Sequence, residues 1–397
     1  MLKHLTVKNY KSINRLNLDL GRVNVFIGEN GCGKSNILEA LALVGAAEAN
    51  KLDNEFLSSR GIRVTSPTLM RSRFSDSNID KPIEISVNFS SNANPHVYKL
   101  KNDNEPYSKW TSSSGERISL TKLEITELAT ALNDLKDKSD ESFEIDEIDP
   151  KSIKSLFESY FKERMTFLKD ESSDEKINLK DFIIFSPENT ALRNFYQEGQ
   201  IEPLGINGEG LLKLLKVIND KKSDQIDVIK KSLKLFGWFK SVTIPNELCE
   251  QDDKIVINDK YLESAKFDQR SANEGFLFIL FYMALIVSNE TPKIFAVDNI
   301  DASLNPKMCT KIIKDIALLT KKYDKQVFLT THNPAILDGL DLNDPEQKLF
   351  VVSRTRSGST RVKEITIDSK PRSSSDEDLK LSEAMLRGYL GGLPKGF

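Results

Sequence analysis

Apolar and polar positions change rhythm several times along the chain. The opening, "HLTVKNYKSINRLNLDLGRVNVFIGENGCGKSNILEALALVGAA", alternates with a period of two, runs into the short apolar stretch "VNVFIG", and then spaces its apolar residues as a helix does. That order predicts strand, turn, strand, turn, strand, glycine-rich loop, helix. "PIEISVNF" at 82–89 and "HVYKL" at 96–100 predict two further strands, read as antiparallel. "KDFIIFSP" and "KIVIND" predict strands, and "GEGLLKLLKVINDKKSDQIDVIKKSLKLFGWF" predicts a pair of helices. The last third alternates: helix "SANEGFLFILFYMALIVSN", strand "KIFAVD", helix "PKMCTKIIKDIALLTKKY", strand "QVFLTTH", a helix from near Pro334, and strand "KLFVVSR". Short apolar strands separated by helices predict a parallel sheet covered on both faces. The glycine loop and Asp298 are expected to meet in that one sheet, in a domain discontinuous in sequence.

Between about 102 and 180 the composition shifts to Ser, Asp, Glu and Lys. "LKDKSDESFEIDEIDP" reads as a solvated acidic loop between two helical patterns at 121–137 and 150–169. Neither holds heptads long enough for a long coiled coil. The expected organisation is therefore 1–101 as the first part of the core, 102–180 as a helical insertion, and 181–397 as the second part.

Bulk numbers narrow the class. Hydrophobic residues make up 39% of the 397, charged residues 29%, and the net charge is −3, which describes an ordinary globular chain and gives no whole-protein attraction to nucleic acid or anionic lipid. The longest apolar run, at 276–287, is shorter than the roughly 20 residues a bilayer requires. The N-terminus lacks the uninterrupted apolar core of a signal peptide, so a cytoplasmic location is expected. Cys32, Cys249 and Cys309 are few and unclustered, and with only three histidines neither a disulfide framework nor a zinc centre is expected.

"GENGCGKS", Gly28 to Ser35, fits the phosphate-loop pattern in full. A triphosphate needs several backbone N–H donors turned inward, and Gly28, Gly31 and Gly33 permit that path. Lys34 can reach the β- and γ-phosphates, Ser35 can bind Mg²⁺, and the following helix points its positive end at the phosphates. Asn30 and Asn36 lie within and just after the loop. Asp298, ending an apolar strand, is the second expected Mg²⁺ partner. The cofactors expected are thus ATP and Mg²⁺.

The order "NYKSI…GENGCGKSN…SANEG…VDNIDASLNP…THNP" resembles the ABC-type ATPase heads of the RecF, SMC and OLD group, and is most similar to the stand-alone ATPase subunits of bacterial antiphage and abortive-infection systems. The resemblance runs through about residue 90 and from about 180 to the end. It implies an α/β fold, an ABC-type P-loop head with a parallel core sheet, an antiparallel β lobe and a helical insertion. It also implies that Ser271, Asn273 and Glu274 form the signature loop that contacts nucleotide held by a second subunit. Asn273 departs from the usual glycine. Read without the family, "SANEG" is a polar cap on a buried helix, with Ser271 or Asn273 as the cap residue. "DASLNP" resembles the loop that crosses between paired heads, and His332 the switch histidine. Arg60 and Arg63 match phosphate-neutralising arginines or are solvated loop charges, and Gln197 is a distant candidate for the Mg²⁺-contacting glutamine.

Asn299 stands where such heads usually place a catalytic glutamate. An amide takes no proton from water, although it can orient one. Either Asp301 or His332 supplies the missing polarisation, or the ATP-bound state persists to be read by a partner. The resemblance implies a homodimer, or an assembly of dimers. The function expected is a slow ATPase that serves as sensor and scaffold for a separate toxin or nuclease effector in antiphage defence. The rivals are a RecF-like ATPase that clamps DNA, for which "SRTRSGSTRVK" is the best basic cluster, and a nucleotide-dependent scaffold without turnover.

Overall fold

A computed structural model describes residues 1–74, 79–89, 94–105, 107–116, 179–194, 202–221, 224–245, 254–262, 265–370 and 379–392. The chain divides into two compact units, Met1–Gly115 together with Leu179–Phe397, and Glu116–Asn178. The helical patterns expected at 121–137 and 150–169 lie outside the described residues, as do Gln197 and Cys249.

The first unit opens with β1 (His4–Tyr10), β2 (Ile13–Asp19) and β3 (Val23–Ile27), followed by helix α1 (Lys34–Glu48). Strands β4 (Ile83–Asn88), β5 (His96–Lys101) and β6 (Thr111–Glu116) join β1 and β2 in a five-stranded sheet ordered β2-β1-β4-β5-β6. The pairs β1–β2, β1–β4 and β4–β5 are antiparallel, in agreement with the reading of the strands at 82–89 and 96–100. The expected boundary at 101 stops one strand short of this sheet. β6, "TSSSGE", has no apolar residue to mark it.

After the second unit the chain re-enters through β7 (Ile184–Phe185), helices α2 (Leu211–Asp220) and α3 (Asp224–Leu233), and the small sheet of β8 (Phe239–Thr243), β9 (Val256–Asp259) and β10 (Lys266–Phe267). Then come α4 (Glu274–Val287), β11 (Ile294–Val297), α5 (Pro306–Lys322), β12 (Gln326–Thr331), β13 (Gln347–Arg354) and β14 (Thr360–Ile365). The main sheet is ordered β14-β13-β3-β12-β11-β7. β13, β3, β12, β11 and β7 are parallel, and β14 closes one edge antiparallel to β13. The helix expected near Pro334 is a tighter 3-10 segment, Pro334–Gly339, started by the Asn333 side chain on the Ala335 amide at 3.0 Å.

Side chains alternate across a strand, so each buried strand feeds two cores. Val23, Val25, Val327, Leu329, Phe295 and Val297 enter the core that α4 fills, while Phe26, Phe328, Ile294 and Ala296 face the core around α1. Helix α1 is buried along most of its length because Leu5, Val7, Ile83 and Ile85 of the antiparallel sheet join that same core. This holds the helix behind the glycine loop rigid. Every residue of α4 except Glu274 is buried, which explains its uninterrupted apolar run, and among the described residues no helix is long and apolar enough to cross a membrane.

Gly45 of α1 lets the returning chain pass at van der Waals distance: a Cβ there would lie 2.2 Å from the Leu179 carbonyl oxygen. A backbone atom cannot swing aside as a side chain can. Gly45→Ala is therefore expected to destabilise the unit by about 1–3 kcal/mol, read as a lowered Tm in thermal denaturation; an unchanged Tm would mean that this packing is loose.

Candidate functional site

Parallel strands present their C-terminal ends on one edge, and the order β3-β12-β11 brings three such ends together. From β3 comes the loop Gly28–Ser35, from β11 Asp298 to Asp301, and from β12 Thr330, Thr331 and His332. Gly31 and Gly33 have φ of 73° and 108°, a region closed to most L-residues, and Gly33 leads directly into α1. A Cβ on Gly33 would meet Thr360 Oγ1 at 2.2 Å and Ser12 Oγ at 2.7 Å. Those hydroxyls form the back wall of the loop. Thr360 Oγ1 donates to the Cys32 carbonyl at 2.9 Å and lies 2.6 Å from Ser12 Oγ, which accepts from Asn36 Nδ2 at 2.6 Å. Arg354 Nε donates to the Gly31 carbonyl at 2.8 Å. Thus the β13–β14 hairpin, far along the chain, braces the glycine loop, while Asn30 is exposed at its tip.

The Lys34 ammonium donates to the carbonyls of Gly28 at 2.9 Å and Glu29 at 3.1 Å, and among the described residues it makes no ion pair. Burial lowers its pKa, against the pull of Cys32, Asp298 and Asp301. A buried cation whose neighbours are carbonyls, the Cys32 thiol and the His332 ring, with no carboxylate paired to it among the described residues, fits a site meant for an anion. Ser35 Oγ donates to Asp298 Oδ2 at 3.0 Å, and the Thr330 hydroxyl donates to Asp298 Oδ1. A hydroxyl and a carboxylate side by side are the hard oxygen donors that Mg²⁺ uses alongside phosphate and water. The donor set fits Mg²⁺ with a nucleoside triphosphate.

Asn299 has φ 56°, and its amide donates to Thr330 Oγ1 at 2.9 Å. Asparagine enters the left-handed region more readily than glutamate does, so the backbone itself favours the residue found. Asp301 Oδ1 accepts from the Thr331 hydroxyl at 2.6 Å. His332 is exposed, and its Nδ1 lies 3.5 Å from Lys34 Nζ. Partial desolvation of the ring and the neighbouring Lys34 charge lower its pKa, while Asp301 and Asp298 pull the other way.

Arg63 and Arg60 part ways. Arg63 Nε pairs with Glu39 at 2.7 Å, and its Nη2 reaches Asn36 Oδ1 at 3.3 Å, beside the glycine loop. Glu39 is buried and also accepts from Tyr10 at 2.8 Å and from Lys11. Arg60 instead stacks on Phe56, with Cζ 4.7 Å from the ring centre, and its Nε is buried with no hydrogen-bond partner among the described residues.

Among the described residues no hydrogen bond joins 271–274 to 28–36. Asn273 is the N-cap of α4, accepting from the Phe276 amide at 3.4 Å, and both Ser271 and Asn273 are exposed. The close approach falls to Gly275, where a Cβ would come within 2.8 Å of the Ser303 carbonyl oxygen. The start of α4 and the 301–305 loop therefore lie side by side. Arg193 grips the backbone here, donating to the carbonyls of Ala272 at 2.8 Å, Gln269 at 3.3 Å and Arg270. Sequence reasoning missed Arg193, Glu39, Thr330, Thr331 and Thr360 because their partners are distant in sequence.

The chain matches the model of the family described as "AAA domain, putative AbiEii toxin, Type IV TA system" over residues 23–338. It is similar to DNA replication and repair protein RecF of Lactobacillus acidophilus, 36% identical over 55 residues, 14% of this chain and 15% of that protein. It is also similar to RecF of Leptospira interrogans, 46% identical over 44 residues, 11% of this chain and 12% of that protein. The matched stretches thus cover a small fraction of these relatives. A solved SMC head bound to the C-winged helix domain of ScpA superposes with a TM-score of 0.51 at 15% identity, covering 93% of this chain and 99% of that one. At that identity the likeness is one of fold, and it agrees with the glycine loop, the strand order and the antiparallel lobe in describing an ABC-type ATPase head of the RecF/SMC group. Since the family model runs from β3 to the 3-10 segment behind His332, the chain belongs to the AbiEii-type AAA domain family.

Proposed function

We propose that this protein binds ATP and Mg²⁺ between two copies of itself, hydrolyses ATP slowly, and acts as a sensor and scaffold controlling a separate toxin or nuclease effector in antiphage defence. The observation that carries the reading is the convergence of Lys34, Ser35, Asp298 and Thr330 at the ends of three adjacent parallel strands. Lys34 would exchange its loop carbonyls for phosphate oxygens. Ser35 and Asp298 would hold the metal, with Thr330 fixing the carboxylate. Bound Mg²⁺ supplies charge neutralisation at the transferring phosphoryl group.

The second copy is needed for the signature loop. Ser271 and Asn273 are exposed beside the 301–305 loop and, among the described residues, share no hydrogen bond with their own glycine loop, so an ATP gripped from both sides would take one wall from each chain. The slow rate follows from Asn299, which carries no base. Asp301 keeps one carboxylate oxygen beyond its bond to Thr331 and can orient water, as can the exposed His332 ring. The link to an effector is supported by the family description, which associates the domain with toxin–antitoxin systems. The similarity to RecF supports DNA clamping as the second reading. Against it, Arg354 of the basic cluster is already committed to the Gly31 carbonyl. Tight DNA binding with a steep salt dependence would favour that second reading.

Complementation between variants tests the shared site. Lys34→Ala and Ser271→Arg, each inactive alone, are expected to regain part of the wild-type phosphate release when mixed, because a mixed dimer holds one intact site; absence of any recovery would contradict a composite site. Asn299→Glu is expected to raise turnover by about 10²-fold, despite roughly 1–2 kcal/mol of left-handed backbone strain. An unchanged rate would mean that another group already acts as base.

A further inference from the structure

We propose that Thr331 is a positioning residue for ATP turnover: its hydroxyl, fixed between the Asp301 carboxylate and the Asn333 amide, makes the loop after β11 and the loop after β12 move as one piece. Thr331 is fully buried at the end of β12. A buried strand position asks for a β-branched side chain, and valine would fill it without a hydroxyl to satisfy. The hydroxyl is explained by its bonds: it donates to Asp301 Oδ1 at 2.6 Å and accepts from the Asn333 N–H at 3.0 Å.

Its neighbour Thr330 serves the other side of the same edge, bonding Asp298 and the Asn299 amide. Consecutive strand residues point to opposite faces, so the pair divides the work. Thr330 holds the carboxylate beside Ser35, and Thr331 holds the loop that runs on to Ser303. A second and weaker tie runs in parallel through Cys309, whose thiol lies 3.5 Å from Asn333 Nδ2 and 3.8 Å from the Leu304 carbonyl. Ser303 in turn lies against Gly275 at the start of α4. A continuous contact path therefore joins the signature loop, the 301–305 loop and His332, and Thr331 is the buried hydrogen-bonded step in it.

The inference rests on the function proposed above, so it is tested by two readouts, only one of which needs ATP. In the nucleotide-free full-length protein, Thr331→Val is expected to speed hydrogen exchange at the Asn333 amide and at the turn amides of Ala302 and Leu304 at least tenfold, and Thr331→Ser to leave them near wild type. Fast exchange at Asn333 with unchanged exchange at 302–304 would overturn the coupling. In steady-state assays Thr331→Val is expected to lower kcat about tenfold with KM unchanged, Thr331→Ser to restore it, and the double variant with Asp301→Asn to be no slower than the slower single variant. Multiplying effects, or a kcat of Thr331→Val equal to wild type, would overturn the role in turnover. Wild-type phosphate release no greater than that of Lys34→Ala would instead overturn the ATPase reading, while the exchange comparison would still decide the coupling.

Discussion

The hydrogen bond between Ser35 and Asp298 is the constraint on which the rest depends. Its partners are 263 positions apart, and they meet only because β12 lies between β3 and β11 in one parallel sheet. That order places one strand from the N-terminal segment among strands from the last third. The two cores on either side of the sheet hold the strands in register, and α1, enclosed between both sheets, fixes the direction in which the glycine loop opens. The chemistry is local, but the geometry belongs to the whole unit.

Much of this was legible in the chain. The glycine loop, the apolar strand ending in Asp298 and the helix–strand alternation after it each carry a strong local pattern, and the parallel sheet follows from them. Elements that escaped notice were polar or short. β6 has no apolar residue, and β14, "TRVKEI", lies in a basic stretch that reads as a solvated edge although Thr360 buttresses the loop from there. Side chains such as Glu39, Arg193 and Thr331 gave no signal, because a buried charge or hydroxyl is explained only by partners that folding brings to it.

Two departures from the pattern of the heads that the sequence resembles have physical reasons. Asn273 replaces a glycine, yet it caps α4, and the close backbone approach is taken by Gly275 two positions on. Asn299 replaces a glutamate, yet it sits at a left-handed backbone position that asparagine tolerates well, with its amide tied to Thr330. Both substitutions keep the site ordered while removing or moving a chemical group. On the proposed reading, such a site would hold a bound state for longer than a fast ATPase would, as a sensor requires.

The proposed function turns on nucleotide joining two copies of this chain. The most direct test is the solution mass of the purified full-length protein by light scattering, without nucleotide and then with ATP and Mg²⁺. ATP with Mg²⁺ is expected to raise the mass in steps of two chains, and chelating the metal to reverse the change. A mass that ignores nucleotide and metal alike would contradict that proposal.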